Sequence, residues 1–158
     1  MLSIEATGVP GATRARGMPD ATSIVMLMPT LSRYMTRKPW TIARTATLTE
    51  AHLLMREHAI RHLPVMDGEK VVGVVTMRDL HLLETLPGVS PDEVQVEDAM
   101  SPDVFVASER DELAGVVERM SESRLGSAVV MGQGGLVGIF TAVDALRALG
   151  DILRREAA

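Results

Sequence analysis

Two carboxylates stand where this chain could recognise a sugar. Asp79 and Asp144 each close the same short pattern, Gly-x-x-Thr-x-x-Asp, at Gly73 to Asp79 and at Gly138 to Asp144. Each Asp follows an apolar run that reads as a strand and stands at the start of a run that reads as a helix. A carboxylate there has two possible uses. It can interact with orphan amides and the positive end of the helix dipole, for about 0.5–2 kcal/mol. It is also acceptor-only with two oxygens, so it suits a vicinal diol such as a ribose. Thr76 and Thr141, three residues earlier, carry hydroxyls that could serve as caps or face a ribose or phosphate. Arg61, His62 and Arg78 supply the positive charge that a phosphate needs, or are simply solvated surface groups. The second copy has Gly126-Ser127 and Ala142-Val143 at those places, so one phosphate site is expected rather than two equal ones.

Those groups must be positioned by a duplicated unit. Gly73 and Gly138, Thr76 and Thr141, and Asp79 and Asp144 are all 65 residues apart. The same interval relates Met35 to Met100, Leu48 to Leu113, Met55 to Met120 and Leu63 to Ala128. A period this long, present twice, indicates two copies of one supersecondary unit. Thr47-x-x-Glu50 reads as a capping box that opens a helix through Leu48, Ala51, Met55 and Ala59. Leu63 to Met66 and Val71 to Val75 read as strands joined by a turn at Asp67-Gly68, and Asp79 to Leu86 as a helix. The second copy replays the order, with Val104 to Val106 extended, a helix through Leu113, Val116, Val117 and Met120, strands at 128–131 and 136–140, and a last helix from Thr141 to about Leu153. Each unit is then β-α-β-β-α, an α/β (α+β) arrangement whose sheet has one face uncovered until two units stack. A glycine inside an apolar strand, as at Gly73 and Gly138, marks a close backbone approach, here of repeat on repeat.

His62-Leu63-Pro64-Val65-x-Asp67, Val72-Gly73-Val74-Val75-Thr76-x-x-Asp79 and the second Gly-x-x-Thr-x-x-Asp make each copy resemble a CBS domain, and the pair a CBS tandem or Bateman module. The resemblance covers about residues 33 to 148. It implies two repeats related by a pseudo-twofold axis, often assembled as a disc-like homodimer. It also implies an adenosine ligand, AMP, ADP or ATP, with Asp79 and Asp144 on the ribose and Thr76 and Thr141 on ribose or phosphate. Arg61, His62 and Arg78 would reach phosphate, while Thr41, Ile42, Phe105 and Val106 would flank the adenine. By spacing alone those last four are edge-strand residues. The expected divisions are a mobile tail over 1–30, a first repeat over 31–88, a polar linker over 89–97, a second repeat over 98–150 and a helix end over 151–158. S-adenosylmethionine is a lesser candidate ligand. A nucleotide-independent interaction module, docking a regulated protein that the sequence does not name, is the alternative function.

Composition narrows the classes. With 46% hydrophobic and 23% charged residues the chain is of the soluble globular class. A net charge of −5 and only four aromatic residues argue against a nucleic-acid surface. The apolar run Ile24 to Met28 is too short to span a bilayer, and a cytoplasmic protein is expected. Without cysteine there is no thiol nucleophile or thiolate metal site. His58 and His62 are four apart, but a helix exit between them would break a shared metal-binding face, so no metal is expected. Neither a P-loop, a nucleophile elbow nor a dinucleotide glycine fingerprint occurs, so the chain reads as a binding module and not an enzyme. The eleven methionines read mainly as adaptable packing.

Overall fold

A computed structural model describes residues 28–158. Most of the expected tail, and Ile24 to Leu27 of the apolar run, lie outside the described residues. Helix α1 (Leu48–Glu57) opens on the expected capping box. The Thr47 hydroxyl accepts the Glu50 amide at 3.2 Å, and the Glu50 carboxylate accepts the Thr47 amide at 2.7 Å. Leu48, Ala51 and Met55 form its buried face. Ala59, at φ 51°, turns the chain left-handed, and the Ile60 amide returns to the Met55 carbonyl. Strands β3 (His62–Asp67) and β4 (Lys70–Thr76) then pair as a hairpin, with Gly68 at φ 60° in its turn. Helix α2 (Met77–Glu84) follows.

The second copy repeats these elements as β5 (Val106–Ser108), α4 (Leu113–Glu122), β6 (Ser127–Gly132), β7 (Gly135–Thr141) and α5 (Ala142–Glu156). Even the irregularities recur. A bulge falls between Val65 and Met66 in one hairpin and between Val130 and Met131 in the other. Short strand β2 (Ile42–Ala43) lies parallel to β3, as β5 does to β6. Met55 and Met120 are both buried, in agreement with their reading as packing groups.

The packing divides the chain differently from the period. Residues 29–37 stand before the first hairpin yet complete the second core. Leu31, Tyr34 and Met35 pack with Ala107, Leu113, Met120 and Phe140. Strand β1 (Thr36–Arg37) pairs with β7, Thr36 opposite Ile139, to give the order β1-β7-β6-β5. Thr30 bridges to Glu112, so the described end of the expected tail is tied down. The reciprocal exchange places Val96, in the one-turn helix α3 (Val96–Ala99), fully buried among Leu48, Leu63 and Leu80. Ser101 and Val74 exchange both backbone hydrogen bonds, at 2.9 and 3.0 Å, beside the sheet β2-β3-β4. The expected polar linker is therefore a docked segment. Val89 and Val94 pack on the first core, and the Thr49 hydroxyl donates to Asp92 at 2.7 Å. Polar residues dominate its exposed side, and that side is what the composition reported.

The two strand glycines sit at the crossings between repeats. A Cβ on Gly73 would lie 2.5 Å from Met100 Sδ and 2.8 Å from the Ser101 carbonyl oxygen. On Gly138 it would meet Met35 Sδ and the Thr36 carbonyl oxygen, both at 2.9 Å. A thioether can swing away, but a paired carbonyl cannot. Gly73→Ala is expected to lose about 1–3 kcal/mol of unfolding free energy through overpacking. Gly115→Ala, inside α4 with nothing within 4 Å of the new methyl, is expected to gain about 0.5–1 kcal/mol. Urea unfolding of the two variants should move the midpoint in opposite directions, and an unmoved Gly73→Ala midpoint contradicts the close approach.

Candidate functional site

A cleft of about 990 Å3 opens between the repeats. One wall is the end of β4 and the start of α2, with Thr76, Arg78 and Asp79, joined by Arg61 and His62. The other is the segment Ser101 to Phe105 together with Arg124 to Ser127 of the second repeat. The structure thus brings Arg61, His62, Thr76, Arg78, Asp79 and Phe105 together. It does not bring Thr41, Ile42, Val106, Thr141 or Asp144 into this cleft. Ile42 is buried in the first core, and Val106 borders a separate depression with Lys70 and Met131.

The Thr-x-x-Asp unit is a capping box in both repeats. Thr76 donates its amide and hydroxyl to Asp79 Oδ2 at 2.8 and 2.7 Å, and accepts the Asp79 amide at 3.2 Å. The Thr76 proton is therefore committed, and its hydroxyl holds the carboxylate rather than presenting a donor to the cleft. Thr141 and Asp144 repeat the arrangement at 2.9, 3.1 and 3.4 Å. The copies differ at the other oxygen. Asp144 Oδ1 accepts Arg147 Nη1 at 3.0 Å, and the Asp144 side chain is buried. Asp79 Oδ1 has no hydrogen-bond partner among the described residues. Of the two capping-box carboxylates, Asp79 keeps an acceptor available on the cleft wall.

The charge of the cleft opposes that of the whole chain. Arg56, Arg61, Arg78 and Arg124 line it, facing Asp79 and Asp103. None of the four arginines forms an ion pair among the described residues. Phe105, Val104, Leu125 and Val129 give it an apolar end. Sequence reasoning named Phe105 from the second repeat but missed Ser101, Asp103 and Arg124. Arg124 stands at φ 53°, 65 residues after the left-handed Ala59, so the period carried a signal for its conformation but none for its direction.

His62 is the seam between the repeats. Its ring lies across Gly126, where a Cβ would be 2.9 Å from Nε2. Burial lowers its pKa below 6.5, while Asp79 pulls it upward, Arg61 pushes it down and Asp144 also pulls upward. His58, the other histidine of the i, i+4 pair, is engaged elsewhere. It caps α1 and stacks on Trp40 with ring centroids 3.8 Å apart.

A folded pKa below the unfolded one means that the unfolded chain takes up the proton first as pH falls. His62 therefore leaves stability intact above 6.5 and reduces it as pH drops from there toward the folded pKa. His62→Gln should flatten the pH dependence of unfolding free energy between about pH 7 and 5, read by urea unfolding at each pH. Equal slopes in the two proteins would contradict a neutral, partly buried His62.

With this geometry in hand, known proteins supply the comparison. The family model for the CBS domain matches residues 31–82 and 96–151. The chain is 34% identical over 107 residues to an inosine-5'-monophosphate dehydrogenase of Korarchaeum cryptofilum, covering 66% of this chain and 21% of that enzyme. It is 28% identical over 112 residues to protein MJ1232 of Methanocaldococcus jannaschii, covering 70% and 36%. The chain thus spans about a fifth to a third of these curated relatives. Among solved structures, an acetoin utilization protein (AcuB) from Vibrio cholerae superposes with TM-score 0.73 at 30% identity, over 83% of this chain and 98% of that one. The CBS pair of MJ0100, in complex with 5'-methylthioadenosine and S-adenosylmethionine, gives 0.69 at 25% over 78% and 98%. CBSX2 in complex with AMP gives 0.67 at 25% over 78% and 97%. Two family matches covering most of the chain, two hairpins with the same bulge and two Thr-x-x-Asp caps have one explanation: the chain belongs to the CBS domain family, as a tandem pair of the regulatory type.

Proposed function

We propose that this CBS pair binds an adenosine nucleotide, AMP, ADP or ATP, in the cleft between its repeats, and that binding changes oligomer or partner contacts. The observation that carries the reading is the pairing of four arginines without ion-pair partners among the described residues with Asp79 Oδ1, an available carboxylate oxygen held in place by the capping box. The carboxylate would take the ribose hydroxyls. Phe105 and its apolar neighbours would hold the base. His62, Arg61, Arg78 and Arg124 would take the phosphates. Ligands named for two similar structures, AMP and S-adenosylmethionine, support an adenosyl group. The arginines favour a phosphate over a sulfonium cation, because like charge in a cleft is repulsive. A ligand touching both walls favours the arrangement it fits best, and that population shift is the signal.

The output is proposed to pass through a homodimer. Val143, Leu146, Leu149 and Leu153 lie half or more exposed along one side of α5. The spacing makes a helical stripe, and a second copy across a twofold axis would cover it with its own stripe. The same stripe favours the second reading, a nucleotide-independent module that docks a regulated protein. The protein would act in the cytoplasm, as a binding module without catalysis. No helix among the described residues is long and apolar enough to cross a membrane.

Titration calorimetry on the full chain separates these readings. AMP, ADP or ATP should bind, S-adenosylmethionine should bind more weakly, and Arg124→Ala should weaken the nucleotide by roughly 10- to 150-fold, the range of one charge-assisted hydrogen bond. The same samples should sediment as a dimer, and as a monomer with Leu146→Glu. Absence of nucleotide binding, or a preference for S-adenosylmethionine, would contradict the nucleotide reading and leave the interaction module.

A further inference from the structure

Helices α1 and α2 meet through three groups that the nucleotide reading does not use. His52 stands on α1, and His81 and Glu84 stand one turn apart on α2. One ligand atom from each lies within 4.8 Å of the others, and the two imidazole centroids are 5.2 Å apart. His52 Nε2 is 2.9 Å from Glu84 Oε1, close enough for an ion pair. Yet this nitrogen is buried without a hydrogen-bond partner, so the contact is misaligned. A buried polar atom left unmatched costs about 1–3 kcal/mol. Something other than Glu84 alone suits that nitrogen.

The duplication supplies an internal control. Sixty-five residues on, the equivalent positions are Val117, Leu146 and Leu149. The second repeat therefore carries three apolar side chains at these positions, with Leu146 and Leu149 exposed on α5. The repeat fold does not need imidazole or carboxylate there. All three positions in the first repeat carry metal-ligating groups, and two of the three also line the cleft.

From this convergence we propose that His52, His81 and Glu84 form a binding site for a borderline divalent transition ion, of which zinc is the type. Two imidazoles and one carboxylate are a ligand set suited to such ions. Tetrahedral zinc with bonds of about 2.0–2.1 Å holds its ligand atoms about 3.3 Å apart. The His52–Glu84 separation is already below that, and the exposed His81 ring is free to close the remaining gap. Three protein ligands leave a coordination position open to water or to an oxygen donor entering the cleft. The site stands independently of the nucleotide.

The test uses the full chain, stripped of metal by dialysis against a chelator and then titrated with zinc against a chromophoric indicator, with no nucleotide present. One equivalent per chain should bind, and cobalt(II) in its place should give visible ligand-field bands. His81→Ala should weaken zinc by roughly tenfold or more. The triple variant His52→Val, His81→Leu, Glu84→Leu carries the second repeat's residues at these positions and, with a urea midpoint confirming that it is folded, should lose the equivalent altogether. His58→Ala, whose ring is engaged with Trp40, should bind as the parent does. Failure of the parent chain to bind zinc would make the cluster an ion pair only. Undiminished binding in the triple variant would place the metal elsewhere. Either result overturns the site.

Discussion

Two backbone crossings without side chains govern this structure. At Gly73 the chain of the first repeat admits Met100 and the Ser101 carbonyl, and at Gly138 the second admits Met35 and the Thr36 carbonyl. Each crossing lets a segment from one sequence copy hydrogen-bond to the hairpin of the other. The Val74–Ser101 pairing then fixes where Asp103, Val104 and Phe105 can lie, opposite Thr76 and Asp79. The cleft is thus a consequence of the exchange. Its two walls belong to different repeats, held at a spacing that a single methyl group would disturb. A module built this way is suited to sensing, because a ligand touching both walls acts on the contact that joins the repeats.

The Thr-x-x-Asp unit commits one carboxylate oxygen and leaves the other to its surroundings. Oδ2 satisfies orphan donors at a helix start and fixes the side chain's rotamer. Oδ1 is then aimed, with its conformational freedom already removed. In the second repeat Arg147 takes that oxygen, and in the first it stays available. The structural and the functional readings of these motifs are therefore compatible, and the difference between the repeats lies one turn beyond the motif. The same divergence shows where His52, His81 and Glu84 correspond, 65 residues on, to Val117, Leu146 and Leu149. Duplication kept the fold while the residues at these positions diverged.

Much of this was legible in the sequence because the period is exact in residue count. It located both hairpins, the helix starts, the core faces and the two glycine crossings. The exchange of segments was not legible. Leu31 reads as an apolar residue at the head of the first repeat and Val96 as part of the polar linker, and nothing local says that each will bury itself in a core whose remaining residues lie elsewhere in sequence. Of the cleft, the first-repeat groups Arg61, His62, Arg78 and Asp79 followed from the motif. Arg124 and Asp103 did not, since they sit in loops whose direction depends on the packed pair. The distinction between Asp79 and Asp144 was equally hidden, because it rests on a third residue, Arg147, whose partner is a matter of geometry.

The account turns on Asp79 as the carboxylate that reads a ribose. The most direct measurement is the affinity for AMP and for 2'-deoxy-AMP in Asp79→Asn and Asp144→Asn, each corrected for any change in unfolding free energy. The account predicts that Asp79→Asn weakens AMP by roughly 10- to 150-fold and abolishes the preference over the deoxy form. It predicts that Asp144→Asn keeps both the affinity and the preference. Full AMP affinity and ribose preference in Asp79→Asn, with their loss in Asp144→Asn, would contradict it and move the ligand to the other repeat.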